Sequence, residues 1–214
     1  FARQAVIAIE NVRLFNELQD RNREITENLE QQTATSEILK VIASSPTDVQ
    51  PVMEVIADNA LRLCDGLISS VYRTDGELIY EVATRNFTSE GLEANRTYYP
   101  RPLANDSSVS SRAILQRSIL NLPDVLNDTS LPELTHQYAR ANGFNSLLVV
   151  PLMRDQEAIG SIGVARRETG FFTEKQIALL KIFAAQAVIA IENVRLFNET
   201  QNLLKQTEQR AAEL

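Results

Sequence analysis

A chain of 214 residues, 44% of them apolar, can bury a real core, and the uneven spread of apolar residues leaves about one domain's worth of chain in the middle. Net charge is -7 with a pI near 4.9, so no sustained basic field is available to phosphates or anionic lipid head groups, which argues against nucleic-acid and membrane partners. The single cysteine, Cys64, excludes an intrachain disulfide and any multi-cysteine metal knuckle, and it suits a reducing, cytoplasmic compartment.

The first element is helical. From Phe1 to about Ala43 there is no Gly or Pro, and good helix formers predict one helix of roughly 65 Å at 1.5 Å per residue. A heptad frame with Phe1, Ala8, Phe15, Asn22, Leu29, Ser36 and Ala43 at a puts Gln4, Asn11, Leu18, Ile25, Gln32 and Leu39 at d. A solvated surface helix is one reading of this pattern. The other is a parallel two-stranded coiled coil, in which Phe15, Leu18, Asn22, Ile25, Leu29 and Leu39 form the dimer helix and buried Asn and Gln set the register. The segment also repeats: FARQAVIAIENVRLFNE at Phe1 to Glu17 returns as FAAQAVIAIENVRLFNE at Phe183 to Glu199, with only Arg3 against Ala185 differing. So long an offset is no solenoid period, and the expectation is that the chain starts inside the last helix of a preceding domain of the same kind.

The middle reads as alternating helices and strands. Thr47-Asp48 and Pro51 signal a helix start, Val52, Ile56, Ala60 and Leu63 keep helical spacing, and Asp65-Gly66 ends it. Two strands, 67–73 and 77–85, flank the hairpin signal Thr74-Asp75-Gly76. Residues 86–108 carry Asn, Ser, Pro and Tyr without a clear period and are expected to form a long loop. Ser108 should cap a short helix to Ser118, followed by a strand to Leu122 and a second short helix, 131–142, ending at Gly143. Strands 146–154 and 158–167 around Asp155-Gln156-Glu157 complete an α+β fold, an antiparallel sheet of five to six strands with helices packed on it. From Glu174 a long closing helix follows, whose apolar stretch from Ile177 to Ile191 is broken by Lys181 and Gln186 and is too short to span a bilayer.

Three of these segments resemble the GAF domain family, small-molecule sensor modules found in tandem in bacterial signalling proteins. They are Leu147-Leu148-Val149-Val150-Pro151-Leu152, then Ala158-Ile159-Gly160-Ser161-Ile162-Gly163-Val164, then Phe172-Thr173-Glu174 with its helix through Gln186-Ala187 and Ala190-Ile191-Glu192-Asn193. The resemblance implies a GAF-like sheet flanked by long N- and C-terminal helices, with a connecting helix over 1–45, the GAF domain over 46–182 and a C-terminal connecting helix over 183–214. The polar helix between the repeats is similar to the linkers of multi-GAF sensor histidine kinases and nucleotide cyclases. No phosphoacceptor motif, nucleotide-binding glycine box or cyclase aspartate pair is found, so kinase or cyclase activity is expected in an output domain outside this sequence.

The ligand is less legible. Cyclic nucleotide is disfavoured because the Asn-Lys pair of the cyclic-nucleotide-binding relatives is missing. Bilin is disfavoured because Cys64 precedes Asp65 rather than His and reads as a buried structural thiol. Haem is disfavoured because His136, between Thr135 and Gln137, reads as a surface residue, and no converging metal ligands are spaced in the sequence. What remains is a pocket between the sheet and the two short helices, where Tyr80, Phe87, Tyr98, Tyr99, Arg112 and Tyr138 could converge. Aromatic walls plus one Arg would suit a small planar or anionic molecule; alternatively the tyrosines only pack the core. The expected function is therefore a non-catalytic sensory or regulatory module acting as a homodimer through its helices, and the alternative is a ligand-free spacer in a tandem array. Enzymatic reduction of methionine sulfoxide, which some GAF relatives perform, needs a second cysteine to resolve the sulfenic intermediate.

Overall fold

The computed structural model of the chain describes residues 2–105 and 107–212. It divides into two compact units, Phe1–Ser36 and Glu37–Leu214. Helix α1 runs over Ala2–Ser44. In the first unit Phe15, Leu18, Ile25 and Leu29 are all exposed. Exposed ion pairs within the helix join Arg13 to Glu10 and Glu17, and Arg23 to Glu27, where water screens them. Asn22 is exposed on the same helix, while Leu39, assigned to the same seam, belongs to the second unit and is exposed there. Phe1, the first position of the heptad frame, lies outside the described residues.

The second unit is built on a six-stranded antiparallel sheet in the order β3-β2-β1-β6-β5-β4. Strands β1 (Ile68–Thr74) and β2 (Leu78–Arg85) form the hairpin that Asp75-Gly76 signalled. Gly76 supplies a φ of 99°, and the Asp75 carboxylate accepts from the backbone N–H of Glu77 and Leu78 at 2.9 and 2.8 Å. Strands β5 (Ser146–Arg154) and β6 (Glu157–Arg166) form the second hairpin, turning at Asp155 with φ 53°. Short strands β3 (Arg101–Pro102) and β4 (Leu120–Leu122) close the two edges.

Strand alternation sorts the two faces of this sheet. Ser69 and Val71 of β1 look toward helix α2 (Gln50–Leu63), where the Ser69 hydroxyl donates to Ala57 O at 2.7 Å. Ile68, Ser70 and Tyr72 point to the opposite face, as a period of two requires. Helix α2 starts with the Asp48 carboxylate accepting from Gln50 N at 2.9 Å and Pro51 in its first turn, and it buries Val52, Met53, Ile56, Ala57 and Ala60. The closing helix α6 (Glu174–Ala212) packs beside it on β5. Its start is a reciprocal capping box, since Gln176 N donates to Thr173 Oγ1 at 3.2 Å while Thr173 N donates to Gln176 Oε1 at 3.0 Å. By length and composition α6 could cross a membrane, but Leu180, Phe183, Ala187 and Ala190 within its apolar stretch are buried in this unit.

The other face carries three shorter helices: α3 (Ser89–Tyr98), α4 (Val109–Gln116) and α5 (Glu133–Asn142). Helix α3 corrects the expectation of an unbroken loop over residues 86–108. Its sequence has no apolar period because it contributes little to the core, and it is held by polar ties instead. Thr88 Oγ1 accepts from Gly91 N at 2.9 Å as the N-cap, and the same hydroxyl donates to Ala141 O of α5 at 3.1 Å. Gly91 is needed for this approach, because a Cβ there would run into the Asn142 carboxamide. Ser108 caps α4 as expected, accepting from Ser111 N at 3.2 Å.

Candidate functional site

Between the sheet and helices α3, α4 and α5 lies a cavity of about 110 Å³. Its floor is Ile68, Ser70 and Tyr72 of β1, Leu147 and Val149 of β5, and Gly163 of β6. Helix α5 brings Leu134, Thr135 and Tyr138, and the start of α4 brings Ser108, Val109 and Ser110. Phe87, Tyr98 and Tyr99 complete the aromatic wall. The rings are packed in contact: Phe87 meets Tyr138 edge-on at 5.9 Å, Tyr99 meets Tyr72 at 4.9 Å, and Tyr98 meets Tyr99 edge-on at 4.9 Å. Arg101 stacks over the outer ring, 4.0 Å from the Tyr98 centroid.

Of the six residues that the sequence suggested for a pocket, the structure places Phe87, Tyr98, Tyr99 and Tyr138 in this wall. Tyr80 and Arg112 require correction. Tyr80 belongs to β2 but is outside the lining, and its hydroxyl donates to the Asp75 carboxylate at 2.7 Å in the hairpin turn. Arg112 is on α4 beside the buried face made by Val109 and Ala113 and is outside the lining; the Asp128 carboxyl, held low first by Ser130, also feels its charge.

Sequence reasoning missed Ser70, Tyr72, Thr135 and Gly163. The alternation of β1 carried a signal for Ser70 and Tyr72, which follow Ile68 at intervals of two. Tyr72 is 3% exposed, and burial pushes its phenol up to about 12, with the nearby Glu81 charge adding to the shift. The Tyr138 phenol is likewise pushed up, mainly by burial. Neither is ionised near neutral pH. Among the described residues the Thr135 hydroxyl is buried without a hydrogen-bond partner, a costly state for a polar group, about 1–3 kcal/mol, and the Tyr138 hydroxyl faces only that of Tyr72. Glu81 sits behind this wall on β2, accepting from the Asn95 amide, and its carboxyl is raised above the ordinary value by burial.

Cys64 and His136 are both tied into the fold away from the cavity. Cys64 caps α2 with no exposed surface, its thiol faces Gln176 O at 3.9 Å, and burial pushes it up to about 12. A folded-state pKa that high keeps the sulfur protonated at pH 8. Iodoacetamide at pH 8 is therefore expected to leave the native chain unmodified by mass spectrometry and to add one group in denaturant; labelling of the native chain would show an accessible thiolate. His136, expected at the surface, has a side chain only 14% exposed, with Nε2 3.0 Å from Asp128 O and Nδ1 3.6 Å from Glu133. Among the described residues, no three His, Cys, Asp or Glu groups converge as metal ligands.

An antiparallel six-stranded sheet with α2 and α6 on one face, and a cavity under short helices on the other, defines a class of α+β domain. The family model of the GAF domain matches residues 46–192, and the chain belongs to the GAF domain family. No curated protein matches its sequence. Similar solved structures include the GAF domain of a phosphoenolpyruvate-protein phosphotransferase from Coxiella burnetii, with 12% identity, a TM-score of 0.65, and coverage of 80% of this chain and 98% of that one. The free methionine-R-sulfoxide reductase of Neisseria meningitidis, solved with its substrate, is 16% identical with a TM-score of 0.61, covering 78% and 90%. A methyl-accepting chemotaxis protein, residues 122 to 287, is 21% identical with a TM-score of 0.58, covering 77% and 98%. At these identities the likenesses show the fold.

Proposed function

We propose that this chain is a non-catalytic sensory module of a larger signalling protein, binding a small molecule in the cavity and relaying its occupancy through long helices. The observation that carries this reading is the position of β5 between two layers. Leu147 and Val149 floor the cavity, while α6 packs on the same strand, whose intervening Leu148 and Val150 are buried on the other face. A ligand that binds one arrangement of the roof better than another shifts the packing of that strand, and α6 with it. The chemotaxis protein of the same fold supports a signalling role. The buried, protonated Cys64 offers no nucleophile at the cavity, which supports a module without chemistry of its own.

The helices are the second half of the proposal. Phe15, Leu18, Ile25 and Leu29 leave apolar surface exposed on α1, and Ile189, Leu196 and Leu203 do so at intervals of seven on α6. Pairing with a second copy covers such a stripe. The Phe1 to Glu17 repeat supports a tandem array in which each closing helix continues into the next linker. Light scattering is expected to give a dimer for the wild-type chain and a monomer for Leu18→Asp combined with Ile25→Asp. A wild-type chain that stays monomeric at high micromolar concentration removes the dimer from the reading.

Gly163→Val tests the cavity. A Cβ at Gly163 would meet Ser70 Oγ at 3.4 Å and Val149 Cγ2 at 3.6 Å, ordinary contacts, and the valine methyls beyond it take up space in the cavity that Gly163 lines. In a thermal-shift screen of small metabolites, a ligand present at a hundred times its Kd stabilises the wild type by about 2.7 kcal/mol. The Gly163→Val chain is expected to show no such shift. Equal shifts in both chains would move the site elsewhere, and a screen that shifts neither chain would favour the ligand-free spacer.

A further inference from the structure

Resting on the reading of this cavity as a ligand site, we infer that its ligand is a neutral, single-ring aromatic molecule carrying one hydrogen-bonding group, the chemical class of a phenol. Three features of the wall define this class. The first is charge: among the described residues the lining holds no Asp, Glu, Lys, Arg or His. An ionic ligand would be desolvated here without a compensating partner, which strongly penalises anions and cations alike. The second is the kind of polar group. Every polar side chain in the lining is a hydroxyl, from Ser70, Tyr72, Tyr98, Tyr99, Ser108, Ser110, Thr135 and Tyr138. Hydroxyls both donate and accept, so they fit a ligand hydroxyl or carbonyl in either direction. Among the described residues the Thr135 hydroxyl has no partner and the Tyr138 hydroxyl faces only that of Tyr72, so a ligand group that reaches them supplies the missing hydrogen bond.

The third feature is size and shape. A cavity of about 110 Å³ is of the order of the roughly 150 Å³ space that admits benzene in a protein core. Its rings already meet edge-on, Phe87 against Tyr138 and Tyr98 against Tyr99, and a further flat ring extends the same packing. Apolar walls from Ile68, Val109, Leu134 and Val149 supply the rest of the contact.

Four probes of matched size separate these features: phenol, toluene, benzoate and benzylammonium, each titrated into the whole chain while the amide resonances of Thr135, Tyr138 and Gly163 are followed by NMR. Phenol is expected to shift them saturably and to bind about tenfold more tightly than toluene, the ratio that one recovered hydrogen bond supplies, while benzoate and benzylammonium, which must shed their hydration, bind more weakly than either. Thr135→Val combined with Tyr138→Phe, both close in shape to the native residues, is expected to bring phenol and toluene within about twofold, with resonances far from the cavity unchanged. Tighter binding of benzoate or benzylammonium at the same residues would overturn the neutral class while leaving the cavity as a ligand site. Equal binding of toluene and phenol by the wild type would overturn the role of the hydroxyls. Absence of saturable shifts with all four would overturn the single-ring class, and the wider screen with Gly163→Val would then judge the cavity itself.

Discussion

Gly160→Ala is expected to destabilise the domain by about 3 kcal/mol, at the severe end of overpacking changes, and to lower its urea midpoint accordingly. Gly160 pairs with Arg73 of β1 on one side and Leu152 of β5 on the other, in the middle of the sheet. A Cβ placed on it collides with the backbone carbonyl of Tyr72 and lies 3.2 Å from Arg73 Cα and 2.9 Å from Leu152 Cδ1. Two of these neighbours are backbone atoms of a paired strand, so relief requires β1 and β6 to part. The same strand movement would disturb Tyr72 in the cavity wall. Gly163→Ala is the matched control, three positions along the same strand, and it should cost less than 1 kcal/mol because its new Cβ makes only van der Waals contacts, roughly the change expected where overpacking is absent. If the two variants unfold at the same urea concentration, the close approach of β1 to β6 at Gly160 is wrong.

Phe183→Ala should be about as damaging, at about 3–5 kcal/mol for removal of a buried aromatic ring. Phe183 has no exposed surface and is among the largest fully buried side chains, on the α6 face that packs with α2 and β5. Its neighbours cannot collapse into the void, because α2 and α6 are both anchored on the sheet, and the shared tie from Gln176 Nε2 to Cys64 O at 3.1 Å holds the start of α6 against the end of α2. Against a typical domain stability of about 5–15 kcal/mol, this loss brings the fold close to its limit. Phe171→Ala, at a side chain 68% exposed, is expected to shift the transition by no more than about 0.5 kcal/mol. Calorimetry on the two variants distinguishes a helix that belongs to the core from one that merely lies on it. Similar melting temperatures for both would place α6 outside the core.

The elements that were readable in advance are those whose signals are local. Asp75-Gly76 needs only its own backbone geometry to make a hairpin, Thr173 and Gln176 cap α6 across three residues, and Ser108 caps α4 in the same way. Helix α3 has a local cap in Thr88 but no apolar period to follow it, and its seat on α5 through Thr88 and Asn142 depends on contacts between distant parts of the chain. The cavity divides similarly. Four aromatics could be proposed from composition alone, whereas Arg112 and Tyr80 depend on the direction in which a helix or strand presents them.

Composition, the repeated segment and the hairpin and cap signals determined by themselves that this is an α+β domain between long helices, because turn chemistry and periodicity act over a few neighbouring residues. Only the tertiary structure decided that the cavity is lined, among the described residues, by hydroxyls and rings without a charge, and that β5 lies between the cavity and α6. Those properties depend on which faces of separate elements meet, and packing between residues far apart in the chain sets that outcome.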